Sequence, residues 1–562
     1  MWVKRIVWCA AFLSLSVIGF AQQPQYAFRI TFSNKKGSLD LKTPSAFLSA
    51  RAIARRSAAS VSIDSTDLPV SPLYLDTVLA ATNGILHTTS RWLNDCVILL
   101  TDSSKILGLV SKSYITSITQ VAYYPTGLKR PAKAGKFDLE HKSLSAIGGK
   151  TTGSSLYYGN TYNQTTMVNG DYLHDAGFKG QGKLIAVLDA GYIAVDTHPG
   201  FDSLRQSGRL VDVHNFTLDT SYVYSYDDHG TGVLSTMAGY IPGTYVGTAP
   251  LAEYALYVTE DDLSEQPIEM DNMVAGAERA DSIGADIIST SLGYDLFDDP
   301  AYNLTYPDID GKTTVAAKAV NIATQKGILF VPTAGNEGIG DGGWFWILTP
   351  GDADSALTVG AVNINKIIAG FSGYGPNSAG RIKPDVCDLG VSADIFTASG
   401  GFGEEDGTSF ATPQIAGWAA CLWQAKPSAT PYQLRTAIVQ SADHYTDPGT
   451  QIGYGVPDFK QALQSLDVKD TPRNPADSSN WVTVGPNPFN DVINLNVYLT
   501  IPQTVNFVLI DAIGRIIFKT SRYIDSWSNP SVSLPSDNIA AGVYMLKVAT
   551  PDKKRVVKLV KD

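Results

Sequence analysis

Five short runs constrain this chain more than any other feature: KLIAVLDA (183–190), AEYALYV (252–258), ADIISTSLG (285–293), GILFVPTAG (327–335) and DSALTVGAV (354–362). Each is almost uninterrupted in Val, Ile, Leu and Ala, and amphipathic or small-residue helical segments separate them. A strand with one face in water alternates apolar and polar residues, so unbroken runs imply strands covered by helices on both faces. The expected fold class for residues 157–466 is therefore α/β, a doubly wound parallel sheet. In such a sheet the functional loops gather at the carboxyl ends of the strands.

The remaining chain divides around that domain, as expected when 562 residues exceed what one core organises. Residues 24–125 read as an α+β module, with strands YAFRITF, CVILLT and SITQVAYY and helical SAFLSARAIARR, YLDTVLAAT and SSKILGLVS. Residues 126–156 are basic and rich in Gly and Ser, a linker open to proteolytic maturation, and 467–480 form a second, proline-rich linker. Residues 481–562 alternate in the manner of strands and predict a small β-sandwich. At the start, Lys4 and Arg5 precede a short apolar run ending near Ala21, the pattern of an export signal over 1–21. No later stretch reaches about 18 apolar residues, so no transmembrane segment is expected in the mature chain. The net charge of −11 provides no field for phosphate and argues against nucleic acid as a partner. Cys9 falls in the signal. Cys96, Cys387 and Cys421 are odd in number and lack C-x-x-C spacing, so neither a disulfide framework nor a zinc site is indicated, and at most one bridge remains open.

Four short motifs carry chemistry. Gly407-Thr408-Ser409-Phe410-Ala411-Thr412-Pro413 opens a helix of small and apolar residues and puts Ser409 at a helix N-terminus, with Pro413 tolerated as a first-turn residue. Asp227-Asp228-His229-Gly230-Thr231-Gly232 opens a second helix and places His229 at its accessible start. Asp189 ends the first apolar run, and Asn336 follows the fourth in Ala334-Gly335-Asn336-Glu337-Gly338. Taken singly these read as a capping serine, a surface histidine, a turn aspartate and a plain turn. Together they supply a nucleophile, a base, a carboxylate to orient the base and an amide donor for an oxyanion, the four parts that acyl transfer to a hydroxyl needs.

With these motifs in the order Asp, His, Ser, the chain resembles the subtilisin-like (S8) serine peptidases over nearly all of 157–466. The resemblance implies Asp189 as orienting carboxylate, His229 as base and then acid, Ser409 as nucleophile, and Asn336 with the Ser409 N–H as oxyanion donors. It implies that Ser291, Leu292 and Gly293 form the substrate-binding strand, pairing with an extended peptide main chain. Phe371-Ser372-Gly373-Tyr374-Gly375-Pro376 and Lys383-Pro384-Asp385-Val386 extend the match. Three departures stand out: Gly232 where a second histidine is common, Cys387-Asp388-Leu389-Gly390 where many members have Ala-Pro-Gly, and an insertion over 294–316.

The N-terminal module resembles the family's propeptide in position, size and pattern. Val484-Gly485-Pro486-Asn487-Pro488-Phe489, then 509–515 (LIDAIGR) and 542–548 (GVYMLKV), resemble the C-terminal sorting domain of type IX secretion. The implied protein is a secreted or surface serine endopeptidase acting on protein or peptide substrates and exported by the type IX secretion machinery. No cofactor is required for such chemistry. Structural calcium is common in the family, but Asp261-Asp262, Asp298-Asp299 and Asp308-x-Asp310-Gly311 read more readily as surface charge, and metal ligands stay unassigned. Two readings compete with the peptidase: a catalytically silent binding or adhesive protein on the same fold, and an esterase of small substrates.

Overall fold

The five apolar runs are all strands, though only four belong to one sheet. The computed structural model describes residues 24–125, 142–143, 158–225, 227–339, 343–467 and most of 481–561. Its central sheet runs Leu329–Pro332, Ile287–Thr290, Leu184–Asp189, Glu253–Val258, Leu210–Asn215, with every pair parallel. Leu210–Asn215 is an edge strand that the sequence reading missed. It is largely half-exposed, so it lacks the unbroken apolar run that marks the inner strands. The fifth predicted run, Val359–Val362, pairs instead with Val386–Leu389 and reaches the main sheet through one parallel bridge from Val359 to Thr333.

Alternation along the central strand explains why the sheet separates two cores. Ile185 and Val187 join Leu256, Val331, Phe410, Ile415 and Trp418 on one face. Leu184, Ala186 and Leu188 join Tyr257, Phe330, Met273, Ala277 and Val320 on the other. The first face is covered by helices His229–Ala238 and Thr408–Ala425, the second by Ile268–Ile283 and Val315–Gln325. Because the strands are parallel, the loops after Asp189, Thr290 and Pro332 emerge at one end.

The N-terminal module is a four-stranded antiparallel sheet, ordered Ile85–Ser90, Asp95–Leu100, Gln25–Phe32, Ile115–Tyr124, with helices Ala50–Ala58 and Pro72–Thr82. The strand Ile85–Ser90 was not foreseen, and Ser103–Leu109 is a 3-10 helix. The module is anchored on the acidic helix Ile268–Ile283. Arg29 pairs with Asp271, Arg55, Arg56 and Arg91 converge on fully buried Asp281, and Glu278 accepts from the Ser90 hydroxyl at 2.6 Å and from the Arg91 and Trp92 amides at 3.0 Å each.

The C-terminal domain has a three-stranded and a four-stranded antiparallel sheet. Their inner faces share one core, with Ile493, Leu495 and Leu534 meeting Phe507, Leu509, Leu546 and Val548. The signal segment and almost all of the linkers 126–156 and 467–480 lie outside the described residues. Among the described residues no helix is long and apolar enough to cross a membrane. Cys96, Cys387 and Cys421 are buried and free.

Candidate active site

Asp189 is the last residue of its strand and is fully buried. One of its carboxylate oxygens, Oδ1, accepts from His229 Nδ1 at 2.7 Å and from the Ala190 amide at 2.8 Å. His229 begins its helix, and close backbone approach makes the contact with Asp189 available. A side chain at Gly230 would run into the Gly191 carbonyl, so only glycine lets the helix start sit against the loop after Asp189. The Asp227 carboxylate accepts from the His229 amide at 2.6 Å, satisfying one of the free amides of the first turn. Sequence reasoning did not assign Asp227 this role, although an acidic residue just before a helix start is the signal for it.

The structure corrects the expectation that His229 is accessible: only 2% of it is exposed. The reason is that all ten residues of its helix are buried against the sheet and its neighbour helix. Burial alone would lower the imidazole pKa, but the negative charge and hydrogen bond of Asp189, with Asp227 and Asp228 behind, hold it above its ordinary value. The imidazole lies 5.8 Å, centroid to centroid, from the ring of Phe410, the residue after Ser409. Gly232, the departure in the histidine motif, packs on that phenylalanine, since a Cβ there would lie 3.2 Å from it.

Ser409 is the second residue of helix Thr408–Ala425, inside the first turn, while Gly407 holds the cap position. It is therefore not the capping serine. Pro413 requires a second correction: it is the sixth helical residue, beyond the first turn. A proline there cannot donate to the carbonyl four residues back, which is that of Ser409. The Ser291 hydroxyl fills the gap, donating to Ser409 O at 2.8 Å. In return Ser409 Oγ lies 3.4 Å from the Ser291 carbonyl. Ser291, Leu292 and Gly293 follow the strand Ile287–Thr290 and so flank the serine.

Asn336 is exposed. Its Oδ1 accepts from the Thr408 amide at 2.9 Å and the Thr408 hydroxyl at 2.7 Å, and Thr333 donates to that hydroxyl at 2.7 Å. A backbone N–H can only donate, so Oδ1 must face Thr408 and the Nδ2 donors must face away from it. Two further motif residues are buried partners: Lys383 and Asp385 form an ion pair at 2.8 Å, and Asp385 accepts from the Thr358 amide at 2.7 Å.

The acidic clusters considered for calcium make local hydrogen bonds. Asp308 accepts from Thr305, Asp310 from the Lys312 and Thr313 amides, Asp299 from Ala301, Asp298 from Glu265 and Asp261 from Leu263. A different trio, Glu260, Glu265 and Glu269, brings carboxylate oxygens within 4.8 Å of one another. Glu260 accepts there from the Tyr294 hydroxyl, and Glu269 from the Asp261 and Gln266 amides.

Residues 180–456 match the family model described as the subtilase family, Peptidase S8. Subtilisin Savinase of Lederbergia lenta is 31% identical over 270 residues, which are 48% of this chain and 86% of that protein. The chain belongs to the subtilase family. Subtilisin DY of Bacillus licheniformis is 30% identical over 291 residues, 93% of its length, and an alkaline protease of Shouchella clausii is 31% identical over 270 residues, 61% of its length. This subtilase is a serine-type endopeptidase. Its residues 27–135 match the Peptidase S8 propeptide domain of Bacteroidota, and residues 483–562 match the secretion system C-terminal sorting domain. The sorting domain indicates export by type IX secretion to the cell surface or beyond it, and the propeptide indicates synthesis as a zymogen.

Proposed function

We propose that this subtilase hydrolyses peptide bonds within protein substrates through an acyl-enzyme on Ser409. His229 Nε2 takes the Ser409 proton as the hydroxyl attacks the substrate carbonyl, then returns it to the leaving amine. Asp189 fixes the tautomer and stabilises the imidazolium that forms, without itself taking the proton. Nδ2 of Asn336 and the Ser409 amide donate to the oxyanion, where the positive end of the helix also helps. The main chain of residues 291–293 pairs with the extended substrate. These steps need no cofactor. The observation that carries the reading is the 2.7 Å bond from His229 Nδ1 to buried Asp189, because it engages Nδ1 with the carboxylate and so assigns the proton transfer to Nε2.

The test is Ser409→Ala in the processed enzyme. It should abolish labelling by a fluorophosphonate and lower turnover of an unfolded protein by about a millionfold. Retained turnover would remove the assignment. Mapping the new termini in the same digest separates an endopeptidase from an esterase of small substrates.

A further inference from the structure

Attack by Ser409, with the oxyanion held at Asn336 and the peptide lying along 291–293, dictates where one substrate side chain goes. The residue that supplies the carbonyl must point its side chain between the 291–293 segment and the 334–336 segment, because its main chain is held by one and its oxygen by the other. Both segments present glycine there, Gly293 and Gly335, the latter with φ of +91°. Neither glycine adds a side chain of its own to the space between the segments.

Leu348 occupies that space. A Cβ at Gly293 would fall 2.6 Å from Leu348 Cβ, and one at Gly335 would fall 2.5 Å from both Leu348 Cγ and Glu337 Oε2, so the leucine lies against both walls and the Glu337 carboxylate against the second. The leucine is 6% exposed. Its amide donates to the Ala334 carbonyl at 3.1 Å, and the next residue, Thr349, exchanges both backbone bonds with Tyr294. Behind it stand Ile309, Trp344 and Ile347. Ile309, from the 294–316 insertion, belongs to the same core cluster as the leucine.

We propose that Leu348 is the floor of a slot between the two segments and restricts this subtilase to cleavage after small side chains: glycine, alanine and serine. The proposal rests on the Ser409 acyl-enzyme reading. An aromatic ring in this position would have to displace a packed leucine, and cores resist such overpacking.

The test uses the processed enzyme and quenched peptides that differ only in the residue before the scissile bond. Alanine should exceed phenylalanine in kcat/KM by about a hundredfold or more. Leu348→Gly should raise the phenylalanine-to-alanine ratio by about tenfold or more, and Leu348→Ala should raise it by less. Wild-type enzyme that cleaves after phenylalanine as fast as after alanine overturns the proposal without any variant. A ratio unmoved in both variants also overturns it. Diisopropyl fluorophosphate labels an active serine without filling the slot. Labelled enzyme with an aromatic preference therefore sinks the slot alone, whereas unlabelled enzyme sinks the nucleophile and the slot with it.

Discussion

An imidazole that must accept a proton works only when it starts neutral, and at His229 opposing effects set the pH at which that holds. Burial favours the neutral ring, but Asp189, Asp227 and Asp228 outweigh it and raise the pKa above the ordinary value of about 6.5. The protonated ring cannot take the Ser409 proton, so kcat/KM should fall with pH along a one-proton curve whose midpoint lies above 6.5; a pH–rate profile with a lower midpoint would contradict this. Asp388 carries the opposite kind of pH sensitivity. It is fully buried, Oδ1 accepts only from the adjacent Leu389 amide at 2.8 Å, and Oδ2 finds no partner among the described residues. Burial pushes its carboxyl up to about 8, with the Leu389 amide and then Lys366 opposing. Unfolded aspartate titrates near 3.9, so between about pH 4 and 8 the folded protein holds a proton the unfolded chain has lost, and stability falls as pH rises through that window. Asp388→Asn, compared in a Ser409→Ala background by thermal unfolding from pH 5 to 9, should gain steadily on its parent up to about pH 8. Parallel curves would show that the carboxyl does not titrate there.

The helix that carries Ser409 holds its own defect and the remedy for it. Pro413 deprives the Ser409 carbonyl of an intrahelical donor, and Ser291, from a different element, donates instead. Ser291→Ala should leave that buried acceptor unpaired and destabilise the protein by about 1–3 kcal/mol. In a Pro413→Ala background the restored amide can serve the carbonyl, so the same substitution should cost much less. Denaturant unfolding of the four variants measures the coupling, and strict additivity would mean the two residues do not share this carbonyl. The helix start itself was readable from Gly407 and the small apolar run after it. The position of Pro413 within the helix was not, because the hydrogen bond that compensates for it comes from residue 291.

At the scale of the whole molecule, the propeptide is held by charge as well as by packing. Asp281 on the acidic helix is fully buried against Arg55, Arg56 and Arg91. Asp281→Ala would leave three guanidinium groups at that contact without their shared carboxylate, at about 3–5 kcal/mol for an uncompensated buried charge. Binding of separately produced propeptide to Ser409→Ala enzyme, followed by calorimetry, should weaken roughly a hundredfold or more; unchanged affinity would assign the interface to apolar packing instead. None of this pairing was visible in the sequence, where Arg55 and Asp281 lie far apart and each reads as ordinary surface charge. What the sequence determined by itself was local: the buried parallel strands, from their unbroken apolar runs, and the motifs containing Asp189, His229, Asn336 and Ser409, because strand ends and helix starts have short-range signatures. The tertiary structure alone decided the burial of His229, the half-exposed edge strand Leu210–Asn215, the Ser291 bond and the place of Leu348 between Gly293 and Gly335. Each of these depends on which distant segments pack together, and a sequence pattern of period two or 3.6 reports which face of an element is buried but not what it is buried against.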